Sequence, residues 1–243
     1  MSDLKGRVAL VTGGSRGIGR AITISLAEAG AAVAVNYREK SAEAEAVAQS
    51  IRDKGGKAMA IQADVSQTAE VARMVAGVEA ELGPVDVLVN NAGIGLIRGI
   101  DDLTEADFDI TIAVNLKSAF LCIQRVIPSM RQKKWGRIIN ISSGAARGAG
   151  GIGPHYNASK AGMEGLTRGY AARLVKEGIT VNAVAPSLIE TDMVKQGLAS
   201  SPARIPLGRF GTSEECAQVV MMLVRTEYMT GQTVALSGGM SFL

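Results

Sequence analysis

The sequence predicts one α/β domain built on a doubly wound, seven-stranded parallel sheet with helices on both faces. Short β-branched runs alternate with longer segments that carry apolar residues at helical spacing, from one end of the 243 residues to the other. Several of the runs are apolar almost throughout, as strands buried on both faces must be. Because no Ser/Pro-rich linker, low-complexity tract or long repeat interrupts this alternation, residues 1–243 are assigned to a single domain.

The predicted strands are short runs rich in Val, Ile and Ala, of which Val85-Asp-Val-Leu-Val is typical. Parallel strands are joined by right-handed crossovers through helices, so the order of the runs predicts successive β-α-β units. The predicted strands cover residues 7–12, 33–37, 58–62, 85–90, 137–141, 180–185 and 233–236.

The intervening segments are predicted as helices, and glycine directly follows several of them, as at Gly30 and Gly178. Two stretches, 144–154 and 186–212, fit neither pattern and follow strand ends. In an open α/β sheet the carboxyl edge is where ligands bind, so both stretches are candidates for the walls of a site. The predicted helices cover residues 17–29, 41–54, 67–82, 106–132, 155–176 and 212–224.

Composition and charge exclude several classes of protein. The chain is 47% hydrophobic and 20% charged, as expected of a folded globular protein rather than a disordered one. Its 26 basic and 23 acidic residues are interspersed, so nucleic-acid binding gains no support. The one dense basic cluster, residues 131–134 before Trp135, is interpreted as favourable charge at a helix C-terminus; a docking point for an acidic partner is the alternative.

The cysteines and the N-terminus predict a soluble, cytoplasmic protein. Cys122 and Cys216 lie far apart in apolar segments without a second Cys or a His at metal-ligand spacing, so we expect reduced core residues and no metal site. The first residues lack a basic stretch followed by a long apolar one, and no segment has the apolar run of a membrane span. Export and membrane insertion are therefore not expected.

A glycine-rich turn joins the first strand to the first helix and predicts a dinucleotide site. It runs Thr12-Gly13-Gly14-Ser15-Arg16-Gly17-Ile18-Gly19. Glycines allow a tight turn and close approach to a pyrophosphate, while the free amides of a helix N-terminus attract it. The spacing differs from the general G-x-G-x-x-G fingerprint, so the turn alone also fits a purely structural role.

Residues after the next three strands favour NADP(H) over NAD(H), although NAD(H) stays possible. A site selective for NAD places an acidic residue at the second strand end, whereas this chain has Tyr37-Arg38 there. Arg38 and Arg16 could bind a 2′-phosphate; alternatively Arg38 is solvated and Glu39 contacts the ribose. Further cofactor contacts are expected at the ends of the third and fourth strands, from Asp64, Val65, Asn91, Ala92 and Gly93.

A tyrosine and a lysine on one helix face predict proton transfer. Tyr156 and Lys160 are four residues apart, so their side chains project from the same side. A nearby ammonium would favour the phenolate of a tyrosine, whose pKa is otherwise near 10. Ser143, just past the fifth strand, could bind the substrate oxygen, although Ser142 is a rival. His155, the only histidine, is interpreted as structural rather than as the base.

Together these motifs resemble the classical short-chain dehydrogenase/reductase family. The resemblance is carried by the turn at residues 12–19, Asn90-Asn-Ala-Gly, Asn115, Ser143 and Tyr156-x3-Lys160, in this order over nearly the whole chain. Segments such as Arg137-Ile-Ile-Asn-Ile-Ser-Ser are most like bacterial 3-oxoacyl-[acyl-carrier-protein] reductases. Family members commonly have Pro-Gly after the sixth strand, where this chain has Pro186-Ser187.

The resemblance implies a Rossmann-like fold and a set of functional residues. Asn115, Ser143, Tyr156 and Lys160 would be catalytic, with Asn115 holding a water in a proton relay. Pro186, Ile189 and Thr191 would contact the cofactor, together with Tyr156 and Lys160, and residues 186–212 would form a lid over the substrate. The resemblance also implies a homotetramer that pairs through the helices at 106–132 and 155–176.

The expected activity is NADPH-dependent reduction of a 3-oxoacyl thioester, linked to acyl carrier protein or coenzyme A, to the 3-hydroxyacyl thioester. Two alternatives stay open. One is a reductase or dehydrogenase for another small carbonyl or alcohol, such as a sugar, polyol or cyclic ketone. The other is a non-catalytic NADP(H) sensor on the same scaffold, which would not need the complete set Asn115, Ser143, Tyr156 and Lys160.

Overall fold

A computed structural model describes residues 4–191 and 201–241 of the chain. Over these ranges strands and helices alternate as the sequence predicts. The strands are β1 (Val8–Val11), β2 (Ala32–Tyr37), β3 (Ala58–Gln62), β4 (Val87–Asn90), β5 (Gly136–Ile141), β6 (Ile179–Pro186) and β7 (Thr233–Leu236). They pair in the order β3-β2-β1-β4-β5-β6-β7, and every pairing is parallel. The predicted fold class is confirmed, with strand ends shifted by one or two residues.

The helices cover both faces of this sheet and complete the doubly wound architecture. They are α1 (Gly17–Glu28), α2 (Ser41–Asp53), α3 (Thr68–Glu81), α4 (Glu105–Ile112), α5 (Ser118–Lys133), α6 (Pro154–Leu174) and α7 (Ser213–Arg225). Short 3-10 turns follow β5 and α6, at Gly144–Ala146 and Val175–Glu177, and a third lies before α7, at Pro202–Arg204.

Side chains that alternate along the central strands enter separate cores on the two faces of the sheet. Leu10 and Leu88 pack on one face of the sheet with residues of α3, α5 and α6. Ala9 and Val89, one position away in each strand, pack on the other face with α1 and α7. Because successive residues of a strand point to opposite faces, a strand covered on both sides must be apolar at every position, as β1 and β4 nearly are.

The long helix predicted at 106–132 is interrupted. A π-helical turn, Ala113–Lys117, separates α4 from α5, and the sequence interpretation as one continuous helix is wrong at this point. A π turn adds one residue to a helical turn and is frequently found at functional sites. The helix predicted at 155–176 also ends earlier, at Leu174, where a 3-10 turn begins.

Two cations of the basic cluster at residues 131–134 form ion pairs within the domain. Arg131 forms a bidentate ion pair with Glu177 beyond α6, at 2.5 and 3.0 Å. Lys133 donates to buried Asp86 at 2.9 Å. The cluster also occupies the last turn of α5, where positive charge is favourable. These contacts support the helix-end interpretation over a docking point for an acidic partner.

The apolar helices and both cysteines belong to the core. In the part of the chain that the structure describes, one stretch, Glu105–Lys133, is long and apolar enough to cross a membrane, but 56% of its most apolar window is buried within the domain. That burial is typical of a core helix. Cys122 in α5 and Cys216 in α7 are free and buried, and burial raises the pKa of each thiol to about 12.

Candidate active site

The glycine-rich turn between β1 and α1 is held against the end of β4 by a compact set of hydrogen bonds. The hydroxyl of Thr12 accepts from the backbone amides of Asn91 and Ala92, each at 3.0 Å. The Asn91 amide group donates to the carbonyls of Thr12 and Gly13 at 2.9 and 3.0 Å. A Cβ at Gly19 would lie 2.2 Å from the Gly13 oxygen, so only glycine allows this approach of helix and turn.

A crevice of about 470 Å³ lies along the carboxyl edge of the sheet. This is the size of an ordinary small-molecule site, and it lies where β1 separates the two halves of the sheet. Every residue predicted to contact a cofactor lines it. These residues are Gly13, Ser15, Arg16, Gly17, Ile18, Gly19, Tyr37, Arg38, Asp64, Val65, Asn91, Ala92, Gly93, Tyr156, Lys160, Pro186, Ile189 and Thr191.

Sequence reasoning missed several residues of the crevice, of which Asn36 is the most informative. Its side-chain oxygen accepts from the Gly13 amide at 3.2 Å, and its side-chain amide donates to the Ala63 carbonyl at 3.1 Å. Asn36 therefore ties the glycine-rich turn to the loop after β3. A buried polar residue in an otherwise apolar strand is the sequence signal that could have identified it.

The end of the crevice near β2 is positively charged but contains one competing carboxylate. Arg38 donates to Glu39 at 2.6 Å, and both side chains are at least half exposed. Arg16 and Lys40 line the same end. Lys40 was not predicted; it also pairs with Glu43 at 3.6 Å in the first turn of α2. An anion bound here would have three cationic side chains within the same lining.

Asp64 is already engaged in the structure. One of its carboxylate oxygens accepts from the amide and the hydroxyl of Ser66, at 2.9 and 2.7 Å. The expected contact of the cofactor with the Asp64 carboxylate would therefore use its second oxygen. The neighbouring backbone is held by Glu70, which accepts from the Asp64 amide at 2.7 Å.

Tyr156 stands at the inner end of the crevice beside Ser143. The two side chains are hydrogen-bonded, and Tyr156 is only 8% exposed. Burial raises the pKa of Tyr156 and the bond from Ser143 opposes that rise. The rival serine is engaged elsewhere, because the Ser142 hydroxyl bonds the Lys160 carbonyl at 3.2 Å. Geometry thus favours Ser143 as the serine that faces Tyr156.

Lys160 lies fully buried one turn along the helix from Tyr156. Its Nζ donates to the Ile141 carbonyl at 2.8 Å and lies 5.7 Å from the centre of the Tyr156 ring. Burial lowers the pKa of Lys160 to about 8. Burial disfavours the charged forms of both groups, so it raises the pKa of Tyr156 while it lowers the pKa of Lys160. That the ammonium and a bound oxidised nicotinamide together favour the phenolate stays a prediction.

Asn115 occupies the middle of the π turn and borders the crevice without lining it. Its side chain accepts from the Ile94 amide at 2.8 Å and donates to the Ile94 carbonyl at 3.0 Å. It also donates to the Ser159 hydroxyl at 3.2 Å. Asn115 therefore connects the loop after β4 to α6, between Tyr156 and Lys160.

His155 points away from the crevice. Its Nε2 lies 2.9 Å from the Leu96 carbonyl, and the residue is fully buried at the start of α6. This placement supports the structural interpretation and gives the ring no access to a substrate in the crevice. No group of three or more His, Cys, Asp or Glu side chains within residues 4–191 and 201–241 could hold a metal ion.

The described parts of the expected lid, 186–191 and 201–212, form a paired rim over the crevice; residues 192–200 lie outside the described residues. Glu190 donates its amide to the Gly211 carbonyl at 2.9 Å, and Gly211 donates to the Leu188 carbonyl at 3.0 Å. Ser187, which replaces the usual glycine, lines the crevice and bonds the sulfur of Met240 at 3.4 Å. The C-terminal segment therefore contributes to this rim.

This site fits a nicotinamide dinucleotide on its own geometry. The N-terminus of α1 opens onto the crevice, and Gly13 and Gly17 adopt left-handed conformations, with φ of 62° and 51°, that bring backbone to its surface. A side chain on Gly13 would crowd Ala92 at 3.1 Å. The crevice has a phosphate-binding turn at one end, small residues in the middle and a tyrosine-lysine pair at the other end. This order matches the length and polarity of such a ligand.

Residues 7–201 match the sequence profile of the short chain dehydrogenase family. The chain belongs to the short-chain dehydrogenase family. It is similar to the 3-oxoacyl-[acyl-carrier-protein] reductase FabG of Staphylococcus aureus, with 44% identity over 96% of this chain and 97% of that protein. Membership makes it an NAD(P)-dependent oxidoreductase.

Solved structures of other short-chain dehydrogenases confirm the fold. One is a blue fluorescent protein from a metagenomic library in complex with NADPH, at 41% identity, with a TM-score of 0.93 over 99% of this chain and 100% of that one. Another is a gluconate 5-dehydrogenase from Burkholderia cenocepacia in complex with NADP and tartrate, at 34% identity, with a TM-score of 0.91 over 98% and 96% of the two chains. These complexes support binding of a nicotinamide cofactor at this crevice.

Proposed function

We propose that this short-chain dehydrogenase reduces 3-oxoacyl thioesters to 3-hydroxyacyl thioesters with NADPH. The observation that carries the proposal is a crevice lined by Tyr156 and Ser143, together with exposed apolar side chains on segments that follow the strands at the same edge of the sheet. The near-full-length similarity to a 3-oxoacyl-[acyl-carrier-protein] reductase supports the same substrate class.

These apolar residues follow the carboxyl ends of three strands. Ile97 and Ile100 follow β4, Leu207 belongs to the segment after β6, and Met240 follows β7. All four are exposed, between 40% and 74%. Exposed apolar side chains at the edge where a ligand binds favour an apolar chain over a hydrated one, because they gain by removal from water. These side chains therefore favour an acyl chain over a polyol.

When bound, the nicotinamide supplies a hydride to the carbonyl carbon of the substrate. Tyr156 donates its phenolic proton to the carbonyl oxygen, so that the C=O bond becomes an alcohol with both hydrogens accounted for. Ser143 donates a hydrogen bond to the same oxygen as negative charge develops on it. A raised pKa keeps Tyr156 protonated, which is the form that reduction requires.

Lys160 and Asn115 support this acid. Lys160 binds the nicotinamide ribose and passes a proton to Tyr156. This transfer needs an ammonium that can lose its proton near neutral pH, and the Lys160 pKa of about 8 meets that requirement. Asn115 orders a water in the relay beside Ser159. At the opposite end, Arg38 and Arg16 bind the 2′-phosphate of NADP(H) with Lys40 nearby, and NAD(H) binds more weakly because it lacks the phosphate that these cations attract.

We further propose that residues 186–212 cover the substrate, that residues 1–243 form one catalytic domain and that the enzyme is a cytoplasmic homotetramer. Copies of the chain would pair through the α4–α5 segment and through α6. Phe108 on α4 and Phe120 on α5 are each 43% exposed. Apolar side chains on a continuous helical surface favour an interface between copies of the chain.

Rates with acetoacetyl-coenzyme A and with 5-ketogluconate or gluconate test the substrate class. The proposal predicts a kcat/KM at least about 100-fold higher for acetoacetyl-coenzyme A with NADPH, since exposed apolar side chains do not compensate a polyol for the water that its hydroxyl groups lose. A preference for the sugar acids would favour the alternative, a dehydrogenase for sugar acids such as gluconate. Tight NADPH binding without turnover of either substrate would indicate a sensor.

A further inference from the structure

A buried carboxylate lies behind the reacting residues. Glu164 of α6 is 4% exposed, and both of its oxygens are bound. Oε2 accepts from Nε of Arg147 at 2.8 Å, and Oε1 accepts from the Ser142 hydroxyl at 3.4 Å. Glu164 does not line the crevice, so it cannot itself contact cofactor or substrate there.

The arginine that Glu164 binds ends the turn that carries Ser143. The 3-10 turn Gly144–Ala146 follows β5, and Ser143 caps it by accepting from the Ala145 amide at 3.2 Å. Arg147 closes the same turn through its amide, which donates to the Gly144 carbonyl at 3.3 Å. Anchoring Arg147 therefore fixes the conformation of the turn at one end while Ser143 faces Tyr156 at the other.

Glu164 also shares a helix face with the residues that it supports. Tyr156, Lys160 and Glu164 follow one another at intervals of four residues in α6, so their side chains lie along one side of the helix. The Ser142 hydroxyl bridges this face, since it reaches both the Lys160 carbonyl and Glu164. The carboxylate thus joins the end of β5, the 3-10 turn and α6 at one point.

The ion pair of Glu164 with Arg147 is by itself a poor source of stability. A buried ion pair contributes little net stability compared with apolar residues of similar volume, because both charges lose hydration. Arg147 is 35% exposed in its side chain, so part of its charge stays hydrated while the carboxylate is buried. What the pair supplies is a fixed distance between two backbone segments, and the segment it fixes is the one that bears Ser143.

We infer that Glu164 is a positioning residue that, through Arg147 and Ser142, holds the turn after β5 so that Ser143 faces Tyr156. This inference rests on the proposed function, in which Ser143 binds the substrate oxygen. A turn free to move would leave Tyr156 and Lys160 in place on α6 and displace only the serine. Loss of the carboxylate therefore acts on turnover and not on cofactor affinity.

A double-mutant cycle between E164Q and S143A tests this coupling. E164Q keeps the size of the side chain and removes the charge that binds Arg147. We expect it to lower kcat for acetoacetyl-coenzyme A about 10-fold, with the Kd for NADPH unchanged within about 2-fold, since small displacements of a catalytic group cost rate rather than binding. In the S143A background the same change should lower kcat by less than about 2-fold, because its effect passes through Ser143.

Two further variants keep the test decisive. R147Q removes the other partner at a partly exposed position and should reproduce the loss of kcat even if E164Q folds poorly. E177Q removes the ion pair of Glu177 with Arg131 outside the crevice and should leave kcat unchanged. Thermal unfolding of each variant shows whether a loss of rate follows a loss of structure.

The outcomes separate this inference from the proposed function. If S143A retains the turnover of the unmodified enzyme, the role proposed for Ser143 fails and the inference fails with it. If S143A loses turnover while E164Q and R147Q do not, only the inference about Glu164 is overturned. Equal losses from E164Q with and without Ser143 would also overturn it, because the carboxylate would then act by another route.

Discussion

Lys160 is buried, and its ammonium donates a hydrogen bond to the backbone carbonyl of Ile141. Its pKa falls from 10.5 to about 8 because burial penalises the charged form. The folded state therefore binds fewer protons than the unfolded state between pH 8 and 10.5, and stability rises with pH across that window. Below pH 8 the cost of the buried ammonium is present in full.

Replacing this lysine should stabilise the protein. K160M removes the buried charge, so we expect the free energy of unfolding at pH 7 to increase by about 2 kcal/mol, and the increase to shrink toward zero at pH 10.5. Urea unfolding at both pH values, without cofactor, measures this. A variant that is less stable than the original at pH 7 would show that the bond to Ile141 outweighs desolvation. Turnover should be lost in either case.

Arg38 is expected to set the choice of cofactor. Because a guanidinium binds phosphate by charge-assisted bonds, R38L should raise KM for NADPH about 10- to 100-fold and leave KM for NADH within about 2-fold. R73L, which removes an exposed arginine of α3 that does not line the crevice, is the matched control. Equal effects on both cofactors would mean that Arg38 does not contact the 2′-phosphate, as expected if Glu39 contacts the ribose.

Among the elements, the π turn at Ala113–Lys117 is the feature that joins local structure to function. It presents Asn115 to both the amide and the carbonyl of Ile94, and so fixes the loop after β4. The sequence predicted the importance of Asn115 only through the family resemblance. Periodicity could not locate the turn, because the apolar pattern of α4 continues into α5 across it and the extra residue is a matter of backbone hydrogen bonding.

Two substitutions at this turn separate its hydrogen bonds. N115D keeps an acceptor for the Ile94 amide but cannot donate to the Ile94 carbonyl or to Ser159, whereas N115A removes all three bonds. We expect kcat to fall about 10-fold in N115D and about 100-fold in N115A, with faster hydrogen exchange at residues 91–98 in N115A only. Unchanged exchange in N115A would show that the loop is held by other contacts.

At the scale of the whole molecule, alternation of strand and helix was sufficient to predict the fold, because burial on both faces of a parallel sheet leaves a pattern in every strand. The same logic predicted the crevice, since turns after β1, β2, β3 and β4 meet at one edge. Each predicted cofactor contact lies there.

The features that could not be predicted from the sequence depend on contacts between residues that are distant in the chain and on burial. The ion pair with Glu39 competes with any phosphate for the Arg38 guanidinium. The burial of Tyr156 decides the direction of its pKa shift. Glu164 lies one helical turn beyond Lys160, but its partner Arg147 is reached only after the chain has folded. Burial and such long-range contacts are properties of the packed structure, which one-dimensional patterns do not encode.

The central claim is that Tyr156 donates the proton during hydride transfer in this crevice. Single-turnover oxidation of bound NADPH by acetoacetyl-coenzyme A tests it in Y156F, with Y170F on the same helix as control. We expect Y156F to bind NADPH normally and to transfer hydride at least about 100-fold more slowly, while Y170F reacts at the original rate. Hydride transfer in Y156F at more than about half the original rate would contradict the claim.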